Sequence, residues 1–353
     1  MGAPSTSAAQ WLFPVSALVE QTPSRTTSSI SVERELYDRA RGVEFLFRLG
    51  VSLMLPVPSL YTAATWFHRF YMRFSMEDYH RQDVGAACIF LATKTEECGR
   101  KLKDVAKVFC SKVWGKKMED IADDSQELED SQMAILLTEE VLLEALCFDF
   151  VVRSPHTDLV DLLEARQETP EFEEYAFSIA NDSYRTPLCI LYPPRIIAVA
   201  CYVLAQQYVE GTNSPSLSPP YPESMRFAVE FYNLNEMELV AVADALTILL
   251  EFYAAQDLST MEYLSSIATI SPPEKSPARQ KLYQPFVQLA QGLQKPPEPG
   301  PPEGEPTSSS QPQPSPSKQP SEDTPNLSKS NGWIPVRSDP SAPDLPEKPK
   351  WQI

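Results

Sequence analysis

The side chains best suited to chemistry are dispersed along this chain rather than gathered. Six cysteines stand at 88, 98, 110, 147, 189 and 201, with no C-x-x-C pair and no neighbouring histidine. Disulfide frameworks and zinc sites both need clustered spacing, so these read as reduced core thiols. His68, His80 and His156 are equally scattered and read as structural. There is no Gly-rich phosphate loop, no nucleophile motif and no metal-ligand spacing. The pattern points away from an enzyme, and no cofactor is expected.

What remains is charge and hydroxyls. Arg100, Lys101, Lys103, Lys107, Lys112, Lys116 and Lys117 form the only dense basic run in a chain of formal charge −18. On a helix, Arg100, Lys103 and Lys107 would share a face able to hold a phosphorylated segment. A solvated face balanced by the acidic stretch that follows is the alternative. Thr22, Ser276 and Ser315 each precede a proline, with Arg or Lys two positions beyond it. That spacing suits proline-directed phosphorylation, although a Ser/Pro-rich chain also produces it by chance. The acidic balance disfavours nucleic acid as a partner, because phosphate backbones reward basic surfaces.

The elements that must position these groups are helices. Leu36, Ala40, Val43 and Phe47 recur at helical spacing, with Gly50 as the expected stop. Leu60 to Tyr71 follows after Pro56 and Pro58. His80 to Glu97 is apolar nearly all round at its centre, the mark of a helix surrounded by others. Lys101 to Trp114 is a short basic helix, Glu119 to Asp130 an acidic loop, and Met133 to Leu146 a fifth helix. After Ser154-Pro155 the pattern restarts with Thr157–Ala165, Pro170–Ser183, Arg195–Val209, Pro222–Phe231 and Asn235–Tyr253. The third of these is again small and apolar throughout. No strand alternation is sustained, so the expected class is all-α, two five-helix bundles in tandem.

Most of the 34 prolines lie after Ile270, where no core can be built. The expected division is a disordered arm over 1–32, bundles over 33–153 and 154–256, and a mostly disordered Pro/Ser-rich tail over 257–353. Leu282 to Leu293 is the one tail segment able to turn helical, and Trp11, Leu12 and Phe13 could dock as an anchor. The N-terminus lacks a signal-peptide pattern and no stretch has the length of a membrane span. Cytosol or nucleus is the expected compartment.

Specific residues then resemble a known family. Phe67-His68-Arg69-Phe70-Tyr71, Phe90-Leu91-Ala92-Thr93-Lys94-Thr95-Glu96-Glu97 and Cys147-Phe148-Asp149-Phe150 are similar to the cyclin box. Ala180-Asn181-Asp182-Ser183 and Arg195-Ile196-Ile197-Ala198-Val199-Ala200 resemble the transcriptional cyclins, especially cyclins K and T and the fungal subunit of the polymerase-tail kinase. The resemblance runs in order from Glu33 to Tyr253. It implies a regulatory subunit that binds and activates a cyclin-dependent protein kinase, acting in the nucleus on the RNA polymerase II tail. A further elongation factor is a second implied partner, and a membrane is not.

By the resemblance, Lys94 and Glu139 hydrogen-bond the kinase's regulatory helix, with Glu97 and Phe148 beside them. Glu140 is the alternative to Glu139, which is preferred for standing ten positions before Asp149. Arg39-Ala40-Arg41-Gly42-Val43-Glu44 departs from the Met-Arg-Ala-Ile-Leu patch by which cell-cycle cyclins dock substrates. The rival architecture is that of transcription factor IIB, which binds DNA and the basal machinery. It calls for basic faces and an N-terminal zinc ribbon, and no cysteine precedes Cys88.

Overall fold

The computed structural model describes residues 10–210, 223–256 and 279–292, with the single positions 267, 270 and 273. The described elements are helical. In order they are α1 (Val15–Glu20), α2 (Pro23–Thr26), α3 (Val32–Ser52), α4 (Val57–Phe70), α5 (Arg81–Thr95), α6 (Leu102–Trp114) and α7 (Gln126–Ala145). The second group is α8 (Pro155–Arg166), α9 (Pro170–Ser183), α10 (Leu188–Leu191), α11 (Pro194–Glu210), α12 (Glu223–Tyr232), α13 (Glu236–Ala255) and α14 (Phe286–Gly292). None of the described helices is long and apolar enough to cross a membrane.

The boundaries follow local chemistry. Ser31, Ser125, Ser154, Thr169 and Asn235 cap α3, α7, α8, α9 and α13 by accepting backbone N–H groups. Asn235 and Glu238 form a reciprocal capping box. Two expectations need correction here. The acidic stretch after Glu119 is only partly loop, since α7 starts at Gln126, where Ser125 caps it and Glu127 and Glu129 favour the positive end of the dipole. Gly50 does not stop α3. It lies inside the helix, and a Cβ there would stand 2.1 Å from Leu60 Cδ2. Gly42 is similar, with Phe67 Cζ at 2.2 Å, so both glycines let α4 close on α3.

Helix α5 is buried from Val84 to Thr93, with Gly85, Ala86, Ala87 and Ala92 admitting its neighbours closely. Helix α11 has the same role in the second bundle, with Ile196 to Ala205 all buried. Two apolar cores result. They are not separated cleanly at residue 153: Leu36, Tyr37 and Ala40 of α3 belong to the second core, while Val43, Leu46 and Leu49 of the same helix belong to the first. Met1–Lys295 forms one compact unit.

Polar groups join the bundles. Tyr61 of α4 stacks against His156 of α8, at 4.1 Å, and against Tyr184, at 4.8 Å. Buried His68 donates from Nε2 to the Tyr184 carbonyl at 2.8 Å, leaving Nδ1 to accept from Arg39 at 3.4 Å. Burial, reinforced by the Arg39 guanidinium, holds the His68 pKa down to about 3. The imidazole is therefore neutral and has a structural role.

The N-terminal segment differs most from expectation. From residue 10 it is ordered and packed, not a loose arm. Leu18 lies in the second core, and the Phe13 amide donates to the Ile190 carbonyl at 2.8 Å. Trp11 docks as an anchor, with Nε1 donating to Asp149 Oδ2 at 3.0 Å and its ring 4.8 Å from the Arg69 guanidinium. Thr22 is fully buried and donates to Glu35 Oε2 at 2.8 Å. Glu35 also pairs with Arg25 and with buried Arg39, at 3.2 and 2.7 Å. A carboxylate with two guanidiniums and a hydroxyl around it fixes the segment to α3.

The tail differs as well. Residues 279–292 dock on the second bundle, with Leu282, Tyr283 and Phe286 buried.

Candidate partner-binding surface

The surface is built where α5 and α7 pack side by side. The last turn of α5 brings Lys94 to the protein face, with its ammonium 4.3 Å from the Phe90 ring centre. From α7, Glu139 reaches the same point and is paired with Lys94. The exposures differ: the Lys94 side chain is 47% exposed and that of Glu139 only 7%. The carboxylate is thus held at the base of the site while the ammonium rides at its edge. The Thr62 hydroxyl donates to Glu96 Oε1 at 2.8 Å, tying the chain after Lys94 to α4.

Met133, Leu136 and Leu137 of α7 are exposed, and so are Phe148 and Val151 just beyond it. Of the three on α7, Leu136 stands one turn before Glu139 and so lies on its side of the helix. Glu97 and Phe148 both lie in the left-handed region, at φ 54° and 56°. Such backbone costs about 1 kcal/mol or more for residues other than glycine and persists only where surroundings hold it.

Those surroundings are identifiable. Arg69 donates to the Asp149 and Val151 carbonyls at 3.4 and 3.2 Å, and Arg73 donates to Cys147 Sγ at 3.0 Å. Together with Trp11 and Gln10 on the Asp149 carboxylate, they brace the turn that presents Phe148. Arg69 stands within the Phe67–Tyr71 motif, so its position was visible in the sequence. Its bracing role was not, because it acts on carbonyls eighty residues away.

The charges of Arg100, Lys103 and Lys107 in the basic run are engaged with the protein itself. Arg100 lies before α6 rather than on it, and it donates to the Leu53, Met54, Cys98 and Gly99 carbonyls at 2.7–3.2 Å. It closes the end of α3. Lys103 and Lys107 both pair with Asp123, at 3.2 and 2.8 Å. Asp123 of the acidic loop thus lies against the face that carries Lys103 and Lys107.

Thr22, buried and donating, is not accessible for modification in this fold. Ser276 and Ser315 lie outside the described residues. Arg279, the base of the Ser276 motif, is described, and it is paired with Asp244 and Glu251 at 2.8 and 3.1 Å. No group of metal-ligating side chains is present among the described residues.

Comparison with known proteins bears on the same segments. The family described as Cyclin, N-terminal domain, matches residues 15–151, from α1 to the end of the turn that carries Phe148. The cyclin pch1 of Schizosaccharomyces pombe is 39% identical over 203 residues, 57% of this chain and 58% of that one. Cyclin-T1-4 of Arabidopsis thaliana is 32% identical over 57% of this chain and 38% of its own length. Cyclin-K of Danio rerio is 34% identical over 52% and 42%. The chain therefore spans between two-fifths and three-fifths of these relatives.

Among solved structures, a chain of the yeast RNA Pol II CTD kinase CTDK-1 complex superposes with TM-score 0.50 at 20% identity, covering 77% of this chain and 79% of that one. A chain of the CAK complex of Chaetomium thermophilum bound to ATP-gamma-S gives 0.52 at 17%, covering 86% and 97%. At such identities these likenesses establish the fold alone. The matched N-terminal domain, the ordered motifs and the two bundles around α5 and α11 agree: residues 15–151 are similar to the cyclin N-terminal domain.

Proposed function

We propose that this chain is a cyclin, the regulatory subunit of a cyclin-dependent protein kinase that phosphorylates the RNA polymerase II C-terminal tail. The observation that carries the reading is the Lys94–Glu139 pair, with exposed Leu136 one turn before Glu139 and exposed Phe148 on the turn after α7. A kinase helix arriving there ends in unpaired amides and carbonyls. The ammonium satisfies carbonyls, the carboxylate accepts from amides, and Leu136 on the same side of α7 helps to exclude water. Seating that helix carries its own glutamate to the kinase's phosphate-binding lysine. The cyclin contributes no catalytic group. It favours the active kinase arrangement by binding it better than the inactive one.

The choice of kinase class rests on the relatives, cyclins K, T and pch1. Action on the polymerase places the complex in the nucleus, and a transcription-elongation factor is the further partner of that setting. The alternative that the bundles read DNA as factor IIB does is not favoured by a charge of −18. Glu97 is the weakest member of the surface, being exposed and without a described partner of its own.

The test is a pulldown from native extract with this chain as bait, followed by a kinase assay on polymerase-tail peptide. A co-purifying kinase whose activity falls in Lys94→Ala/Glu139→Ala supports both function and surface. A kinase retained at full activity removes the surface assignment, and recovery of DNA or basal factors in place of a kinase removes the function.

A further inference from the structure

The second bundle carries a groove that is filled by the chain's own residues 279–286. Its floor is α13, with Asp244 and Glu251 on one face two turns apart and Phe252 beside them, and its far wall is the start of α3 at Tyr37. Arg279 donates to Asp244 Oδ1 at 2.8 Å and to both Glu251 oxygens at 3.1 and 3.2 Å. The Leu282 amide donates to Glu251 Oε2 at 2.7 Å. Tyr283 packs edge-on to Phe252 at 5.6 Å, and Phe286 edge-on to Tyr37 at 5.1 Å.

Two features distinguish this from a fixed piece of core. First, the segment is anchored along one side only: Leu282, Tyr283 and Phe286 are buried, while Gln280, Lys281, Gln284, Pro285 and Val287 face solvent. Bound linear peptides have that pattern, a charged anchor followed by apolar anchors at intervals. Second, the fit is incomplete. Arg279 Nη2 and the Tyr283 hydroxyl are buried with no hydrogen-bond partner among the described residues, and each such group weakens the docked state.

The groove itself also selects its occupant. With Arg279 in place Asp244 and Glu251 are 6% and 10% exposed at the side chain. Two carboxylates so enclosed repel unless a cation sits between them.

We propose that this groove is a peptide-docking site held closed in cis. Its partner is an extended protein segment with an arginine, a Leu-aromatic pair three residues later and a second aromatic three beyond that. A partner whose own arginine and aromatic donors are fully hydrogen-bonded when docked displaces residues 279–286. The site lies on the second bundle, away from the Lys94–Glu139 surface, and does not depend on which kinase is bound.

The experiment uses full-length chain and a fluorescent peptide of residues 279–290, read by anisotropy. Wild type binds the peptide weakly, because the tethered copy competes at high effective concentration. Full-length Arg279→Glu/Phe286→Ala, which leaves the groove untouched, binds it about tenfold tighter or more. Adding Glu251→Lys abolishes that gain. If the double variant fails to bind the peptide, folded or not, the segment is a fixed part of the fold and the proposal fails. Hydrogen exchange on unmodified chain gives an independent reading. Amides of 282–290 should exchange by local opening, well ahead of those of α13. Equal protection of the two would overturn the proposal.

Discussion

The Lys94 ammonium is paired with the Glu139 carboxylate across the seam of α5 and α7, before any partner is present. The two groups proposed to meet a kinase helix already hold each other in place, which limits the entropy lost on binding. Because the ammonium is nearly half exposed, Lys94→Ala should lower folding stability by about 1 kcal/mol or less. Kinase affinity should fall by about tenfold or more. Thermal melts alongside affinity measurements separate the two effects, and a loss of affinity matched by an equal loss of folded protein would contradict the assignment. The Glu139→Gln variant keeps the shape and tests charge alone. In a double-mutant cycle the two sites should be non-additive.

Close packing at Gly42 and Gly50 gives a test of the fold. Alanine favours a helix over glycine by about 1 kcal/mol, so propensity alone predicts stabilisation. Contacts of 2.2 and 2.1 Å to Phe67 and Leu60 predict the opposite. Gly42→Ala and Gly50→Ala should each destabilise by about 1–3 kcal/mol. Denaturant midpoints above wild type would show that α3 and α4 do not approach as described.

Acid should loosen the junction of the bundles. Burial holds His68 down to about 3 and His156 down to about 4, both below the unfolded value of 6.5. Between those limits the unfolded chain binds protons that the folded chain does not. Stability is therefore full above about pH 6.5 and falls as pH drops, by up to about 1.4 kcal/mol per pH unit per histidine. Asp83, pushed up to about 6 by burial, works in the opposite sense, its stability contribution being lost as pH rises from 3.8 to 6. Comparing wild type with His68→Gln isolates one histidine: the difference between their stabilities should vary with pH below 6.5 and be flat above it.

Anchoring of the N-terminal segment should govern Thr22. Trp11→Ala should cost about 3 kcal/mol or more, as truncation of a buried Trp does. A proline-directed kinase should leave Thr22 unmodified in native chain and modify it once the segment is released by that substitution. Rapid modification of Thr22 in the wild type, seen by mass spectrometry, would sink the packed description.

Sequence by itself determined the helical class, the two small-residue central helices and the positions of Lys94 and Glu139. Each of these is local: periodicity declares a helix and its buried face, and an ordered set of motifs fixes place along the chain. Tertiary structure decided what depends on distant neighbours. Composition marks residues 10–30 and 279–292 as polar and Pro- or Ser-bearing, yet a few anchors suffice to dock them: Trp11 on Asp149, Thr22 on Glu35, Arg279 on Asp244. Gly50 carries the signature of a helix stop, but the nearness of Leu60 makes it a contact point instead. Arg100 matches a phosphate-binding pattern in sequence, and four backbone carbonyls claim it in space. A side chain's partners are set by whichever elements fold against it, and for buried ion pairs and aromatic anchors those elements lie tens to hundreds of residues away.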